Sequence, residues 1–215
     1  MAILTKEDQL YAYMNSYGNM HYEKLIEAFT ELPEKLFSTK LNLVDWGCGQ
    51  AMATMSFFDF VIQNNHPFRF DNVTLIEPSE VALKRGALHV NSFSKEARIH
   101  TVNKDLDSLN KQDFVSQAGN PTIHLFSNIL DIDMFSLVDL LECIETNFKG
   151  DNYFICVSPY INDIRTSRLD AFVKHFSNAF EEFDFFSSVD NRNSGDWKQD
   201  KDWTRVSRVF FSSIT

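Results

Sequence analysis

The sequence LNLVDWGCGQAMAT, residues 41–54, ends an apolar run with an acid and two closely spaced glycines. Gly47 and Gly49 are separated by one residue, and Asp45 precedes Gly47 by two. Glycine is costly inside regular structure, so it is usually kept where the backbone needs a positive φ or must let another group come close. This stretch therefore predicts a turn that binds a ligand against its backbone.

Two more acids stand at corresponding places further along the chain. Glu77 ends the segment LIEP and is followed by Pro78, which turns the chain at once, and Asp105 lies in NKDL. A carboxylate can accept hydrogen bonds from two hydroxyl groups together. The three segments form an ordered set of ligand-binding candidates, which is more specific than a lone Gly-x-Gly.

Other chemistries that use glycine turns fit this sequence less well. The dinucleotide fingerprint G-x-G-x-x-G has Met52 at its third glycine position here, and Glu77 follows Gly49 by 28 residues, where roughly 20 is typical. No Gly-Lys-Ser/Thr segment follows to form a phosphate-binding loop. A nicotinamide, flavin or P-loop enzyme is therefore disfavoured.

The predicted elements around these groups alternate regularly. Residues 19–37 have apolar side chains at helical spacing, with Pro33 kinking or restarting the helix. From residue 41 onward, buried strands such as LNLVDW, NVTLIEP and TIHLFSNI alternate with amphipathic helices such as AMATMSFFDFVIQ. Continuous apolar strands separated by helices predict a parallel sheet covered on both faces.

The C-terminal end breaks this alternation. EEFDFFSSV and WTRVSRVFFSSI are both typical of strands, but the polar segment DNRNSGDWKQDK between them has no helical period. Two strands joined without a crossover helix must be antiparallel. We therefore expect five or six parallel strands that finish in one antiparallel partner, within a single domain over residues 1–215.

LVDWGCGQA, LIEP and NKDL, taken in this order, resemble the class I S-adenosylmethionine-dependent methyltransferases. The resemblance covers about residues 41–215, and residues 1–40 are similar to the helical cap that such enzymes often carry. It implies an α/β, three-layer, Rossmann-like methyltransferase fold: a mostly parallel seven-stranded sheet with a C-terminal antiparallel strand and an N-terminal helical cap. The implied cofactor is S-adenosylmethionine.

The resemblance also implies roles for the first two motifs. Gly47 and Gly49 would let the adenosyl and aminoacyl groups lie against the backbone. Asp45 would interact with the amino end of the methionine portion, directly or through water. Glu77 would accept hydrogen bonds from both ribose hydroxyls, and Pro78 would lie beside it.

The third motif would bind the adenine ring. Asp105 would accept a hydrogen bond from the adenine amino group, while Leu106 would offer a backbone N–H and an apolar wall. Asp107 lies two residues further on and can take the same role as Asp105.

The fourth strand end, FSNILDID, should face the transferred methyl group. Asn128 or Asp131 could orient the acceptor there, Asp131 could take its proton, and Asn128 could also contact the cofactor. Methylases of nucleobase or glutamine nitrogens commonly have Asn-Pro-Pro-aromatic at this place, and the departure favours small-molecule and some RNA methylases. Alternatively, Asp131 or Asp133 caps a helix that begins at about Met134.

Four aromatic or polar residues are candidates for the cap and the substrate rim. Tyr17 and His21 are four residues apart in YAYMNSYGNMHYEKL, which places them on one helix face. Tyr160 follows the fifth strand, and Trp197 lies in the polar segment before the last strand. Each of these can instead serve only for packing.

Composition restricts the partners. The formal net charge is -10, whereas proteins that neutralise phosphates normally carry an excess of Lys and Arg, so generic nucleic-acid binding is disfavoured and a small-molecule substrate is favoured. The three cysteines of the chain are far apart in the sequence and do not have metal-ligand spacing. We therefore expect them to be reduced and mostly buried, and we expect no metal site. We expect a soluble, cytoplasmic protein, because neither a membrane helix nor a secretion signal is recognisable.

Two hypotheses from other classes remain open at this point. The chain could bind S-adenosylmethionine without catalysis, as a regulatory subunit. It could also modify RNA, with a partner supplying the basic surface.

Overall fold

The computed structural model describes residues 3–93, 96–115, 119–195 and 203–215, and helices and strands alternate through them. None of the described helices combines the length and the apolar composition that a membrane-spanning segment needs. The helices are α1 (Glu7–Phe29), α2 (Met52–Gln63), α3 (Glu80–Phe93), α4 (Leu137–Asn147) and α5 (Asp163–Ala179). The strands are β1 (Leu41–Trp46), β2 (Phe70–Ile76), β3 (Arg98–Val102), β4 (Thr122–Ser127), β5 (Gly150–Ser158), β6 (Phe183–Gly195) and β7 (Trp203–Ile214).

The strands form a seven-stranded sheet in the order β3-β2-β1-β4-β5-β7-β6. β1 to β5 are parallel to one another, and β7 pairs antiparallel with both β5 and β6. The predicted parallel sheet with one antiparallel C-terminal strand is confirmed. Because β1 lies between β2 and β4, the strand order reverses at its end.

Both faces of β1 are buried, because alternate side chains enter different cores. Leu43 packs in a cluster with Phe29 of α1 and Phe57 of α2. Trp46 packs on the other side with residues of α4 and α5, among them Phe172. The near-continuous apolar sequence of β1 therefore reflects a sheet between two helical layers.

α1 differs from the helix predicted over residues 19–37. It begins at Glu7 and ends at Phe29, and Pro33 then precedes a 3₁₀ helix over Glu34–Ser38. Proline has no N–H donor and clashes inside a helix, so a new helical segment begins after Pro33. This confirms the expected restart of the helix rather than the expected kink. Periodicity missed the first half of α1 because Leu10 is its only buried residue before Gly18.

The start of α4 also corrects an expectation. The helix predicted from about Met134, with Asp131 or Asp133 as its cap, instead begins one residue after Ser136. The Ser136 hydroxyl accepts a hydrogen bond from the N–H of Asp139 at 3.2 Å, which satisfies a donor of the first turn. Neither aspartate caps this helix.

Hydrogen-bonded polar side chains lie in the core between the sheet and the helices α4 and α5. The Trp46 Nε1–H donates to Nδ1 of His124 at 3.1 Å, so Nε2 carries the remaining ring proton and donates to Oδ1 of Asn152 at 2.9 Å. His124 is buried among aromatic rings, and this burial lowers its pKa from 6.5 to about 4. His124 is therefore a neutral structural group at physiological pH.

We expect His124 to make the folded protein sensitive to acid. A group whose pKa is lowered by folding stabilises the native state above its unfolded pKa, and that contribution is lost as the pH falls through the folded value. The window runs from 6.5 to about 4, and the loss is about 3 kcal/mol at about 1.4 kcal/mol per pH unit. Urea unfolding at several pH values should show a smaller loss in His124→Gln than in the wild type.

Comparing His124→Gln with the wild type isolates the contribution of His124, because the other buried titratable groups are present in both proteins. His21 acts in the same direction, because burial also lowers its pKa to about 4. Asp45 acts in the opposite direction, because burial raises its pKa to about 7. An acid-induced loss of stability in His124→Gln equal to that of the wild type would contradict the prediction.

Candidate functional site

A cavity of about 370 Å³ lies at the carboxyl ends of β1, β2 and β4. This is where the strand order reverses, which is the usual ligand site of an open α/β sheet. The lining residues that follow the strands include Gly47, Gly49, Glu77, Pro78 and Asn128. The lining residues of the N-terminal segment are Ile3, Leu4, Tyr13, Met14 and His21.

The turn after β1 requires its first glycine. Gly47 has a φ of +65°, and a Cβ there would lie 2.8 Å from Cδ1 of Ile129. Gly49 has a φ of +54°, and a Cβ there would meet no protein atom within 4 Å. The backbone at Gly49 therefore borders open space, as expected of a turn that admits a ligand.

Asp45 lines the same cavity, but one of its oxygens is already used. Oδ2 accepts hydrogen bonds from the backbone N–H of Thr54 at 3.2 Å and from the Thr54 hydroxyl at 2.7 Å. Burial raises the pKa of Asp45 to about 7, and the bonds from Thr54 partly offset that effect. Asp45 thus holds the first turn of α2 against the end of β1, and its predicted contact with a ligand stays a prediction.

Glu77 joins the turn after β1 to the turn after β2. Its side chain is 7% exposed; Oε2 accepts from the N–H of Gly49 at 3.0 Å, and Oε1 accepts from the N–H of Ser79 at 2.9 Å. Burial raises the pKa of Glu77, and these two backbone hydrogen bonds counteract the rise. The carboxylate is fixed in one orientation toward the cavity before any ligand arrives.

Gly86 packs against the turn after β1, a contact that the sequence pattern did not predict. It lies in the middle of α3, and a Cβ there would lie 3.0 Å from the Cβ of Ala51 and 3.0 Å from the backbone carbon of Gln50. α3 can therefore approach the glycine turn closely only because residue 86 has no side chain. The signal was present, since glycine inside a helix usually has a packing reason.

His21 joins the cap to the end of β4. Its Nδ1 lies 3.1 Å from Nδ2 of Asn128, and its Nε2 lies 3.1 Å from the Tyr13 hydroxyl. Asn128 adopts a φ of +57°, a left-handed conformation that asparagine tolerates better than most residues. Burial lowers the pKa of His21 to about 4, with the nearby Lys24 charge as the second cause, so the ring is neutral.

Two other cap and rim candidates, Tyr17 and Tyr160, do not line this cavity. Tyr17 is 47% exposed, and its ring packs against Tyr13, 5.3 Å away between centroids, and against His21. The Tyr160 hydroxyl donates to Oδ1 of Asp163 at 3.2 Å. Trp197 lies outside the described residues. Tyr13, eight residues before His21, occupies the place that was expected for Tyr17.

The adenine-binding candidates also lie outside the cavity lining. Asp105 is exposed and accepts a hydrogen bond from the N–H of Ser108 at 2.9 Å, which caps a 3₁₀ turn. Leu106 packs against the core between the sheet and the helices α4 and α5. Oδ1 of Asp107 accepts from the N–H of Ser136 at 2.8 Å, so the alternative acid holds the start of α4.

Asp131 is not part of the cavity lining either. It is 7% exposed and lies near Lys24 of α1, which is 1% exposed. Burial lowers the pKa of Lys24 to about 8, while the negative charge of Asp131 raises it. Beside them, Arg205 of β7 forms an ion pair with Glu27 of α1. These charges anchor the second half of α1 to the sheet.

The first half of α1 and the residues before it are held to the cavity rim. The Ser79 hydroxyl donates to the carbonyl of Leu4, and Nε2 of Gln50 donates to the carbonyl of Leu10 at 3.1 Å. Ser79 also accepts from the N–H of Ala82 at 3.2 Å, so it caps the first turn of α3. The N-terminal segment therefore covers the turns that follow β1 and β2.

Thiols and carboxylates form no metal site in the described part of the chain. No group of three or more His, Cys, Asp or Glu side chains there could hold a metal ion. Cys48 and Cys156 are buried, Cys143 is partly buried, and all three are unpaired. Cys48 lines the cavity, where burial raises the pKa of its thiol well above the ordinary value.

No protein-family model matches this sequence, and no curated protein sequence matches it. Solved structures do share its fold. The plantazolicin methyltransferase BpumL, solved in complex with SAH, is 12% identical, with 97% of this chain and 91% of that chain covered at a TM-score of 0.56. An rRNA methylase from Streptococcus thermophilus is 12% identical, with coverages of 92% and 96% and a TM-score of 0.51.

A putative RNA methyltransferase from Pyrococcus horikoshii is 15% identical, with 92% of this chain and 86% of that chain covered at a TM-score of 0.51. Identities this low show a shared fold. The chain therefore has the Rossmann-like fold of class I methyltransferases, as the resemblance in its sequence implied.

Proposed function

We propose that the chain uses this fold to bind S-adenosylmethionine and to transfer its methyl group to a small-molecule acceptor. The observation that supports this most directly is the cavity at the reversal of the strand order. Two left-handed glycines and a buried carboxylate converge on it, and the N-terminal segment covers it. Such a cavity would hold one ligand between the strand ends and the N-terminal segment rather than on a flat surface.

The residues of the cavity fit an adenosyl amino acid. Each carboxylate oxygen of Glu77 accepts one backbone hydrogen bond and keeps further lone-pair capacity, so Glu77 can still accept from two ribose hydroxyls. The open space beside Gly49 leaves room for a ligand against the backbone. The cavity volume of about 370 Å³ falls within the usual range of about 300–1,000 Å³ for small-molecule sites.

The other proposed contacts follow from the placement of each residue. Gly47 and Gly49 would hold the amino-acid portion against their backbone, and Asp45 would attract its ammonium group. Pro78 would provide an apolar contact beside the ribose. Asn128 would face both the cofactor and the acceptor from the end of β4.

An adenine ring bound by Asp105 and Leu106 would have to extend beyond the described cavity. We retain this contact as a proposal because both residues follow β3, the strand next to β2. Their contribution to affinity should be smaller than that of Glu77, because Asp105 is exposed.

When bound, the cofactor supplies a methyl group on a positively charged sulfur, which makes that carbon electrophilic. The protein then has to align the acceptor and keep water away. Ile3, Leu4 and Met14 of the N-terminal segment place apolar side chains on the cavity for this purpose. The excess of acidic residues, 30 Asp and Glu against 20 Lys and Arg, supports a small-molecule acceptor rather than a nucleic acid.

Titration calorimetry with S-adenosylmethionine and with S-adenosylhomocysteine tests the proposal. We expect both to bind with one site per chain, and NAD⁺ at the same concentration to give no binding heat. Mass spectrometry of a metabolite mixture incubated with the protein and cofactor should then reveal a methylated product. Binding without any product would favour the non-catalytic alternative, and no binding would remove the proposal.

A further inference from the structure

The hydroxyl of Tyr13 is linked through His21 to Asn128 at the end of β4. Tyr13, His21, Asn128 and Ser127 all line the cavity and form one hydrogen-bonded chain. Because Nδ2 of Asn128 is a donor, Nδ1 of the neutral His21 ring must accept, and Nε2 must carry the ring proton. Nε2–H then donates to the Tyr13 oxygen, and the Tyr13 proton is free to point elsewhere.

The same heavy atoms also allow the opposite polarity. Oδ1 of Asn128 is buried without a hydrogen-bond partner, while Nδ2 makes two bonds. A half-turn of the amide presents Oδ1 to His21 and to Ser127, both of which can donate. Nδ1 of His21 then carries a proton, Nε2 accepts from the Tyr13 hydroxyl, and the Tyr13 oxygen offers a lone pair to the cavity.

We propose that Tyr13, His21 and Asn128 form a proton relay for the methyl acceptor, and that the acceptor is a hydroxyl or another weakly basic group that carries a proton. This inference rests on the proposed function. Tyr13 is the member that contacts the acceptor, whereas His21 and Asn128 act through it.

Protons and charges balance along this relay. When the acceptor atom forms its bond to the methyl carbon and the carbon–sulfur bond breaks, the acceptor holds one proton too many. The Tyr13 oxygen takes that proton and passes its own proton to Nε2 of His21. The resulting His21 cation keeps Nδ1–H donated to Oδ1 of Asn128, and it later returns the proton to water.

The surroundings of His21 indicate the acceptor class. His21 is buried beside the positive Lys24, and its lowered pKa makes it a weak base. A weak base cannot deprotonate an ordinary alkylammonium product, but it can take a proton from a methylated oxygen, which is a strong acid. A hydroxyl acceptor therefore suits this relay better than an aliphatic amine.

The test uses two cofactor analogues, so that the acceptor need not be known. S-adenosylhomocysteine has no group at the methyl position, whereas sinefungin has a carbon with an amino group there, which donates hydrogen bonds as the acceptor would. We expect the wild type to bind sinefungin at least about tenfold more tightly than S-adenosylhomocysteine. Tyr13→Phe should bring that ratio close to one while leaving the affinity for S-adenosylhomocysteine nearly unchanged.

Tyr17→Phe is the matched control, because Tyr17 lies on the same helix and packs against Tyr13 without lining the cavity. It should keep the wild-type ratio. His21→Phe is the second variant and should also lower the ratio. Each ratio compares two ligands on one protein, so a general loss of stability cancels.

An unchanged ratio in Tyr13→Phe, or equal binding of the two analogues by the wild type, would overturn the relay while leaving the cofactor proposal intact. If neither analogue binds the wild type, the proposed function itself fails.

Discussion

Replacing Glu77 with alanine is expected to weaken the binding of S-adenosylmethionine more than any other single change in the cavity. The variant loses the acceptor for the ribose and also leaves the N–H groups of Gly49 and Ser79 without their partner. Ribose hydroxyls left without this acceptor should cost about 1–3 kcal/mol of binding free energy, or about fivefold to 150-fold in Kd, whereas the unpaired N–H groups also lower the stability of the free protein. Titration calorimetry on the purified variant measures it.

Two further variants make this result specific. Glu77→Gln keeps one acceptor oxygen but turns an NH₂ group toward one of the two backbone donors, so its affinity should lie between those of the wild type and Glu77→Ala. Asp105→Ala removes an exposed acid outside the cavity lining and should change Kd by less than about tenfold. If a folded Glu77→Ala variant binds within about threefold of the wild type, Glu77 does not hold the ribose.

Replacing Asp131 with alanine should lower the free energy of unfolding by about 2–4 kcal/mol, because the buried Lys24 then loses a stabilising negative charge. Loss of one member of a buried charge pair is costly, since the remaining charge is far from water. Urea unfolding monitored by circular dichroism measures the change. Cofactor affinity should fall as well, because α1 carries both Lys24 and the cap residues of the cavity.

The double variant Lys24→Met, Asp131→Leu distinguishes anchoring from catalysis. Replacing both charges with apolar side chains leaves neither charge buried, so stability should return close to the wild-type value. Asp133→Ala, at an exposed acid two residues away, should change stability by less than about 0.5 kcal/mol. If Asp131→Ala is as stable as the wild type, Asp131 does not anchor the cap.

The strand-end residues could be predicted because their placement depends on local sequence. Gly47, Gly49 and Glu77 each follow an apolar strand directly, and parallel strands bring such positions to one edge of a sheet. The strand pattern also predicted the parallel sheet and its antiparallel end. Local sequence could suggest these positions without knowledge of any distant contact.

The remainder of the site depends on contacts between distant parts of the chain. Tyr13 contributes because α1 begins twelve residues before the helix that periodicity predicted, and its exposed first half has no apolar pattern. Gly86 contributes through its approach to the turn at Gln50, and Asp131 acquires its role from Lys24, 107 residues earlier. A nearby helix start made Asp131 look like a cap, although Ser136 is the residue that caps it.

The hydrogen bond between His21 and Asn128 joins residues that are 107 positions apart. At the usual pace of ribosomal synthesis, about 5–20 residues per second, roughly 5–20 s pass between the emergence of these two residues. During that interval Phe29 can already pack on Phe57 of α2, but His21 has no Asn128 to bind. The cap therefore reaches its native position over the cavity only after the chain has been synthesised as far as the end of β4.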